Sequence, residues 1–177
     1  PITEGRQAVA VLWSRLKLKE EASSRSQIAD VLITALNAVS EQNVDSGWHD
    51  QARLLIIAAL AGLPVRHAEV PPLLDSLTNQ EPESLLDILQ ELKNILKTLG
   101  RDDRLQVAQW QLQLIDRCLK NHPTLETSMA IRLRVARAWA LAYQGADSLA
   151  VQELQGLLDQ RPQDGLLQET MGEVLNL

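Results

Sequence analysis

The sequence predicts an all-α fold built of antiparallel helical hairpins, with no β-sheet. Two features of the composition favour helices: aromatic residues make up only 3% of the 177 residues, and phenylalanine is absent. Strands draw on aromatic and β-branched side chains, whereas leucine, alanine and glutamine, which are abundant here, favour helices. In addition, apolar residues recur every three or four positions along most of the chain, which is the spacing of one helix face.

The first part of the chain, residues 1–81, is interpreted as a divergent N-terminal helical segment. Its predicted helices span residues 3–21, 26–41 and 48–63. Ser23 and Ser24 are expected to break the chain between the first two helices and to cap the second. The centre of the third helix, residues 54–61, is apolar on every side, so we expect it to be buried all round.

Proline residues mark the end of this first part. Because Pro71 and Pro72 interrupt residues 65–82, we expect an irregular stretch there, with one short helix around residues 73–77. Pro82 is suited to the first position of the next helix, where a missing N–H costs nothing.

The second part of the chain, residues 82–177, has the clearest helical periodicity. Its first three predicted helices span residues 85–99, 105–121 and 124–143. Asp102 and Asp103 are expected in the connection before the second of these, as capping acids. That second helix has two apolar stripes, one of which contains Val107, Gln111, Leu114 and Cys118. A helix with two apolar flanks is expected to pack between neighbours on both sides.

Small residues and helix breakers follow a regular order over residues 131–164. The pattern consists of Ala138, Gly145, Ala150 and Pro162, and it begins again with Gly172 and Leu175. Small residues let two helices approach, a glycine turns the chain, and a proline ends the second helix. This order resembles the tetratricopeptide repeat, a helical pair of about 34 residues.

The resemblance implies a right-handed stack of helical hairpins, an α-solenoid, whose last repeat is truncated at the chain end. Two arginines depart from the family pattern: Arg134 and Arg137 stand where a tryptophan and a leucine are usual. We expect each arginine to find a carboxylate partner or to extend into solvent.

The resemblance also implies a concave groove, because certain positions of the first helix of each repeat face it. In this sequence those positions are Arg132, Val135, Trp139, Ala142 and Tyr143, with Leu166, Glu169 and Glu173 from the truncated copy. We expect the groove to bind an extended peptide or a helix of a partner protein. The alternative is that Arg132 is solvated and that the two aromatic rings pack on the next helix pair. The pattern does not match the Lys/Asn carboxylate clamp of chaperone-binding repeats.

No residue set predicts a catalytic site, a metal site or a cofactor. Cys118 and His122 are four residues apart, a spacing that would allow a nucleophile and its base to meet. However, Cys118 lies on an apolar stripe, where a free cysteine usually acts as a small hydrophobe. The other histidine pairs, His49 with Asp50 and His67 with Glu69, do not match known zinc spacings.

Charge and hydropathy restrict the partners. A formal net charge of −6 argues against a nucleic-acid surface, which needs clustered basic residues. The longest apolar run is far shorter than the ~20 residues that span a bilayer, so we expect no membrane insertion. A single cysteine and the lack of a visible signal peptide favour a cytoplasmic location.

The sequence therefore predicts a non-catalytic interaction or scaffolding module whose partner is a protein or peptide. Because the chain starts at Pro1, we expect it to be part of a larger protein. Self-association through the truncated C-terminal helix is also expected. Two alternatives stay open: an accessory domain of an enzyme whose catalytic domain lies elsewhere, and an all-α enzyme that uses Cys118 and His122.

Overall fold

The structure is a computed structural model that describes residues 22–38, 46–78, 81–97, 99–125 and 127–176. All secondary structure in these ranges is helical, as the sequence predicts. The chain divides into two compact units, Pro1–Leu77 with Thr98–Asp103, and Thr78–Lys97 with Arg104–Leu177. The helix predicted over residues 3–21 lies outside the described residues.

The described ranges contain eight α-helices and one 3-10 helix. They are α1 (Ala22–Ala38), α2 (Ser46–Ala61), the 3-10 helix (Pro64–Glu69), α3 (Val70–Thr78), α4 (Pro82–Leu96), α5 (Arg101–Asn121), α6 (Thr127–Tyr143), α7 (Asp147–Gln160) and α8 (Gly165–Val174).

Helix α2 forms the core of the first unit. It packs against α1 and the 3-10 helix, and every residue from 54 to 61 is buried. The prediction that this segment is buried all round is therefore confirmed. Such a helix gains free energy from its whole circumference, since each apolar side chain removed from water contributes about 1.5–3 kcal/mol.

A buried ion pair joins α1 to the start of α5 inside the first unit. The guanidinium of Arg25 is bonded to Asp103, and the Arg25 side chain is only 10% exposed. Gly62, directly after α2, leaves room for it: a Cβ at this position would lie 2.9 Å from Arg25 Cζ and 3.2 Å from Asp103 Oδ1. A side chain at residue 62 would therefore displace the end of the Arg25 side chain.

Arg66 ties the 3-10 helix to α1. Its Nε and Nη2 each donate to the carboxylate of Glu69 at 2.7 Å, and its Nη2 lies 2.8 Å from Asp30 Oδ1. Its Nη1 donates to Ser26 Oγ at 2.7 Å. The Arg66 guanidinium lowers the pKa of the Glu69 carboxyl below its ordinary value, because a hydrogen-bonded cation favours the ionised form.

Three details of the helices differ from the sequence prediction. Residues 64–78 are helical rather than mostly irregular, because Pro71 and Pro72 lie in the first turn of α3, where backbone N–H groups need no helical partner. Ser23 and Ser24 lie inside α1 instead of breaking the chain. Asp102 and Asp103 belong to the first turn of α5 instead of a loop, where their charge complements the helix dipole.

In the second unit, α6 packs against α4, α7 and α8. The turn between α6 and α7 is a Schellman motif: the Ala146 N–H donates to the Leu141 carbonyl and the Gly145 N–H to the Ala142 carbonyl, both at 2.9 Å. Gly145 has φ = 81°, the left-handed conformation that this motif needs. Ala138 and Ala150, the two predicted close-approach positions, are completely buried.

The two arginines that depart from the repeat pattern have different environments. Arg137 donates from Nε to Asp116 Oδ1 on α5 at 2.8 Å and from Nη1 to Glu153 on α7, so it links three helices. Arg134, three residues earlier on α6, is exposed. Arg137 therefore has carboxylate partners and Arg134 is exposed to solvent, which are the two outcomes expected for an arginine at a normally buried position.

Candidate binding groove

An open groove of about 420 Å³ lies in the second unit, and most of its lining comes from α4, α6 and α8. We call it the groove throughout. Its lining residues are Leu86, Asp87, Leu89, Gln90 and Lys93 on α4, Gln111 on α5, Arg132, Val135, Ala136 and Trp139 on α6, and Leu166, Glu169, Thr170 and Glu173 on α8. This volume lies within the range of about 300–1,000 Å³ that is typical of ligand pockets.

The groove forms here because the amphipathic face of α4 is turned toward α6. Leu85, Leu89 and Leu92 on α4 are at most 2% exposed, whereas Asp87 and Gln90 on its other side are exposed at the groove edge. A helix that buries one stripe presents its flanking polar residues along the border of that stripe. The lining of the groove therefore mixes apolar side chains of the buried stripe with polar side chains at its border.

Trp139 is the largest side chain in the groove. It is 6% exposed, and its ring stacks on that of Tyr143, with centroids 5.7 Å apart and an interplanar angle of 25°. The guanidinium carbon of Arg104 lies 5.8 Å from the Tyr143 ring centroid. Burial raises the pKa of the Tyr143 hydroxyl. The stacking on Tyr143 therefore holds the Trp139 ring in place at the groove.

Lys93 bridges two walls of the groove. Its Nζ lies 3.6 Å from the centroid of the Trp139 ring and 3.7 Å from Glu173 Oε2. Burial lowers the pKa of Lys93, while the carboxylate of Glu173 acts in the opposite direction. The ammonium group is therefore held by a ring on α6 and a carboxylate on α8, and it connects both helices to α4.

The structure brings most of the sequence-predicted groove residues together. Arg132, Val135, Trp139 and Glu169 line the groove, as do Leu166 and Glu173. Ala142 and Tyr143 do not line it: they are buried, at 7% and 8% exposure. Tyr143 contributes through its stacking on Trp139.

Sequence reasoning missed eight of the fourteen lining residues, including the whole α4 side of the groove with Lys93, and Gln111 on α5. Gln111 is 1% exposed, and its Oε1 accepts no hydrogen bond from any described residue. A signal for it exists in the sequence, because a glutamine on an otherwise apolar stripe must bury its amide. No comparable signal marks Lys93, whose partners are distant in sequence.

Comparison of the chain with protein-family models, with curated proteins and with solved structures gives no match. The tetratricopeptide interpretation therefore stays a prediction that depends on the residue pattern of the second unit.

The residues of the other candidate sites are buried or have local partners. Cys118 is buried, and burial raises the pKa of its thiol, which disfavours the thiolate that a nucleophile needs. Asp50 Oδ1 accepts a hydrogen bond from Arg53 Nη1 at 3.0 Å, within a local ion pair. His67 Nε2 lies 3.2 Å from the Ala61 carbonyl oxygen.

No group of three or more His, Cys, Asp or Glu side chains in the described ranges is arranged to hold a metal ion. None of the described helices combines the length and apolar character that crossing a membrane requires.

Helix α8 exposes part of its apolar surface. Leu166 is 48% exposed and Leu175, which follows the helix, is 66% exposed. Gly172 is also exposed, and a Cβ there would meet no atom within 4 Å. Self-association through this helix stays a prediction.

Proposed function

We propose that this chain is a non-catalytic protein–protein interaction module, part of a larger protein, whose tetratricopeptide-like hairpins form a groove that binds a segment of a partner protein. The main support for the proposal is the groove itself, an open cavity lined by both apolar and polar side chains, among them Trp139. Partner segments bind in such grooves by placing apolar anchors inside and polar groups at the border.

The side chains of the groove favour binding over chemistry. Its described lining contains no serine, cysteine or histidine, which are the commonest nucleophiles and proton carriers of active sites. Its lysine is engaged by Trp139 and Glu173. A groove with this lining offers surface complementarity and hydrogen bonds to a ligand.

Trp139 supplies the expected anchor point. Tryptophan is enriched among residues that dominate binding energy, especially in partly desolvated pockets. Its ring is held by Tyr143 on one side and by Lys93, so little side-chain entropy remains to be lost when a partner binds. A side chain that is already fixed in this way favours binding by a rigid surface rather than by a flexible loop.

The test is a selection of peptides from a random displayed library against the purified protein, followed by measurement of their affinities for two variants. Arg132 and Arg134 are both exposed on α6, but only Arg132 lines the groove, while Arg134 lines a separate depression between α6 and α7. Arg132→Glu should change the affinity of selected peptides at least tenfold, and the matched control Arg134→Glu should leave it unchanged. Equal affinities for both variants and the wild type would overturn the proposal.

A further inference from the structure

Some polar side chains of the groove are paired with each other, such as Lys93 with Glu173. Others have no partner among the described residues. Asp87 and Glu169 are exposed at its rim, and neither forms an ion pair with a described residue. Gln111 lies inside with an Oε1 that has no hydrogen-bond partner in the described part of the chain. A buried acceptor without a donor costs about 1–3 kcal/mol, so a ligand that donates a hydrogen bond to it recovers this free energy.

The charged side chains that line the groove determine which kind of hydrogen-bond donor a ligand can present there. Three carboxylates (Asp87, Glu169 and Glu173) line the groove against two cations, Lys93 and Arg132. Lys93 is already held by Trp139 and Glu173, which leaves Arg132 as the cation available to a ligand. An anionic ligand would therefore meet mainly repulsion, and it has no hydrogen to give to the Gln111 oxygen.

A basic side chain satisfies both requirements. A guanidinium carries five N–H donors and an ammonium carries three, and both are attracted to carboxylates. The aliphatic stem of a lysine or arginine can also lie beside apolar lining residues such as Leu89 and Val135. At longer range, the net charge of −6 attracts a cationic segment and speeds its encounter with the protein.

We propose that the groove recognises a partner segment through one basic side chain, whose cationic group donates to Gln111 Oε1 and is neutralised by the carboxylates of Glu169 and Asp87. This inference rests on the proposed function, because it names the chemistry of the segment that the groove binds. It also gives a role to the amide buried on the apolar stripe of α5, whose oxygen has no donor in the described part of the chain.

The experiment is an NMR titration of the ¹⁵N-labelled protein with three small probes of similar shape. They are n-butylguanidinium, its neutral near-isostere n-butylurea, and the anion butyrate. The signals to follow are the Trp139 indole N–H and the Gln111 side-chain amide. We expect n-butylguanidinium to shift both signals saturably and to bind at least tenfold more tightly than n-butylurea, with no saturable shift from butyrate.

Two matched variants test the role of the buried oxygen. Gln111→Met removes the acceptor and keeps the shape, and Gln113→Met makes the same change at an exposed position of α5. Gln111→Met should weaken n-butylguanidinium binding about tenfold, the size expected for one hydrogen bond to a charged group, and Gln113→Met should leave it unchanged. Because Gln111→Met also removes an unpaired buried polar atom, it should unfold at the same or a higher temperature than the wild type.

Three results would overturn this inference: no saturable binding of n-butylguanidinium, equal binding of n-butylurea or butyrate, or unchanged binding by Gln111→Met. Different results would separate a failure of this inference from a failure of the proposed function. If selected peptides respond to Arg132→Glu but keep their affinity when their lysines and arginines become norleucine and citrulline, the groove binds a partner without the basic side chain. If n-butylguanidinium binds as expected but no peptide responds to Arg132→Glu, the cation site exists and the partner-binding function is wrong.

Discussion

The ammonium nitrogen of Lys93 lies 3.6 Å from the centre of the Trp139 ring, although the two residues belong to different helices. The same nitrogen lies 3.7 Å from Glu173 Oε2, so a single charge contacts α4, α6 and α8 together. A cation over an indole face is attracted by the ring quadrupole, and burial strengthens this attraction. Lys93 therefore fixes the position of the groove walls as well as the orientation of Trp139.

Lys93→Met should lower the free energy of unfolding by about 0.5–2 kcal/mol, since it removes the cation over the ring while it keeps an apolar stem. The control is Lys97→Met, at an exposed position just after α4, which should change stability little. In urea unfolding, a double-mutant cycle with Trp139→Leu isolates the pair, because leucine has no ring face for the cation. A coupling energy of zero would contradict the contact.

Gly145 and Gly156 form a matched pair of substitutions with opposite expected signs. Gly145 has φ = 81°, so Gly145→Ala forces an L-residue into the left-handed region and should destabilise the protein by about 1–2 kcal/mol. Gly156 lies inside α7, and a Cβ there would meet no atom within 4 Å. Gly156→Ala should therefore stabilise the protein by about 0.5–1 kcal/mol.

Thermal unfolding of the two variants measures both effects. The wild type should unfold between them in temperature. Destabilisation by Gly156→Ala, or no effect of Gly145→Ala, would be inconsistent with the helix and the Schellman turn described here.

Gly62→Ala tests the space that Arg25 occupies. A Cβ at residue 62 would lie 2.9 Å from Arg25 Cζ, so the guanidinium must shift and its ion pair with Asp103 is strained or lost. We expect a loss of about 3 kcal/mol of stability, in the range measured when buried pairs are broken. In an Arg25→Met background the same substitution should cost at least about 1 kcal/mol less, because the two residues share one space. Equal costs in both backgrounds would show that the arginine is not the obstacle.

The pH dependence of stability should include a contribution from Glu69. Its folded-state pKa lies below the ordinary value of 4.5 because Arg66 binds its ionised form. The sign follows from linkage: the ionised carboxylate stabilises the folded state above pH 4.5, and this contribution is lost as the pH falls through the lowered folded-state pKa. Glu69→Gln should therefore make stability less dependent on pH in this acidic range.

Urea midpoints at neutral and acidic pH measure the Glu69 effect. Glu91→Gln is the control, because Glu91 is exposed on α4 and forms no ion pair with a described residue. If Glu69→Gln and the wild type lose stability in parallel on acidification, the Arg66–Glu69 contact does not contribute.

The sequence predicted those parts of the fold that depend on local patterns. The periodicity of α4, the uniformly apolar centre of α2 and the glycine between α6 and α7 each describe a helix or its end without reference to distant residues. The prolines of α3 were misread, because a proline breaks a helix in its interior but is accepted in its first turn.

The groove was predictable only in part, for a physical reason. Arg132 and Trp139 were identified through the repeat resemblance, which assigns positions on one helix face. The contact between Lys93 and Trp139 depends on how α4 packs on α6, and no periodicity within one helix reports that. Gln111 carried a local signal, a polar side chain on an apolar stripe, but only the structure shows that its oxygen lacks a donor within the described residues.

The most direct measurement of partner binding in the groove is the indole N–H signal of Trp139, assigned with Trp139→Phe, during titration with a selected peptide. The account predicts a saturable shift of this signal in the wild type and in Arg134→Glu, with the indole signal of Trp110 on α5 as an internal reference that moves less. In Arg132→Glu the peptide concentration at half-saturation of this shift should differ at least tenfold from that of the wild type. A peptide that binds while the Trp139 signal stays unchanged would contradict the account.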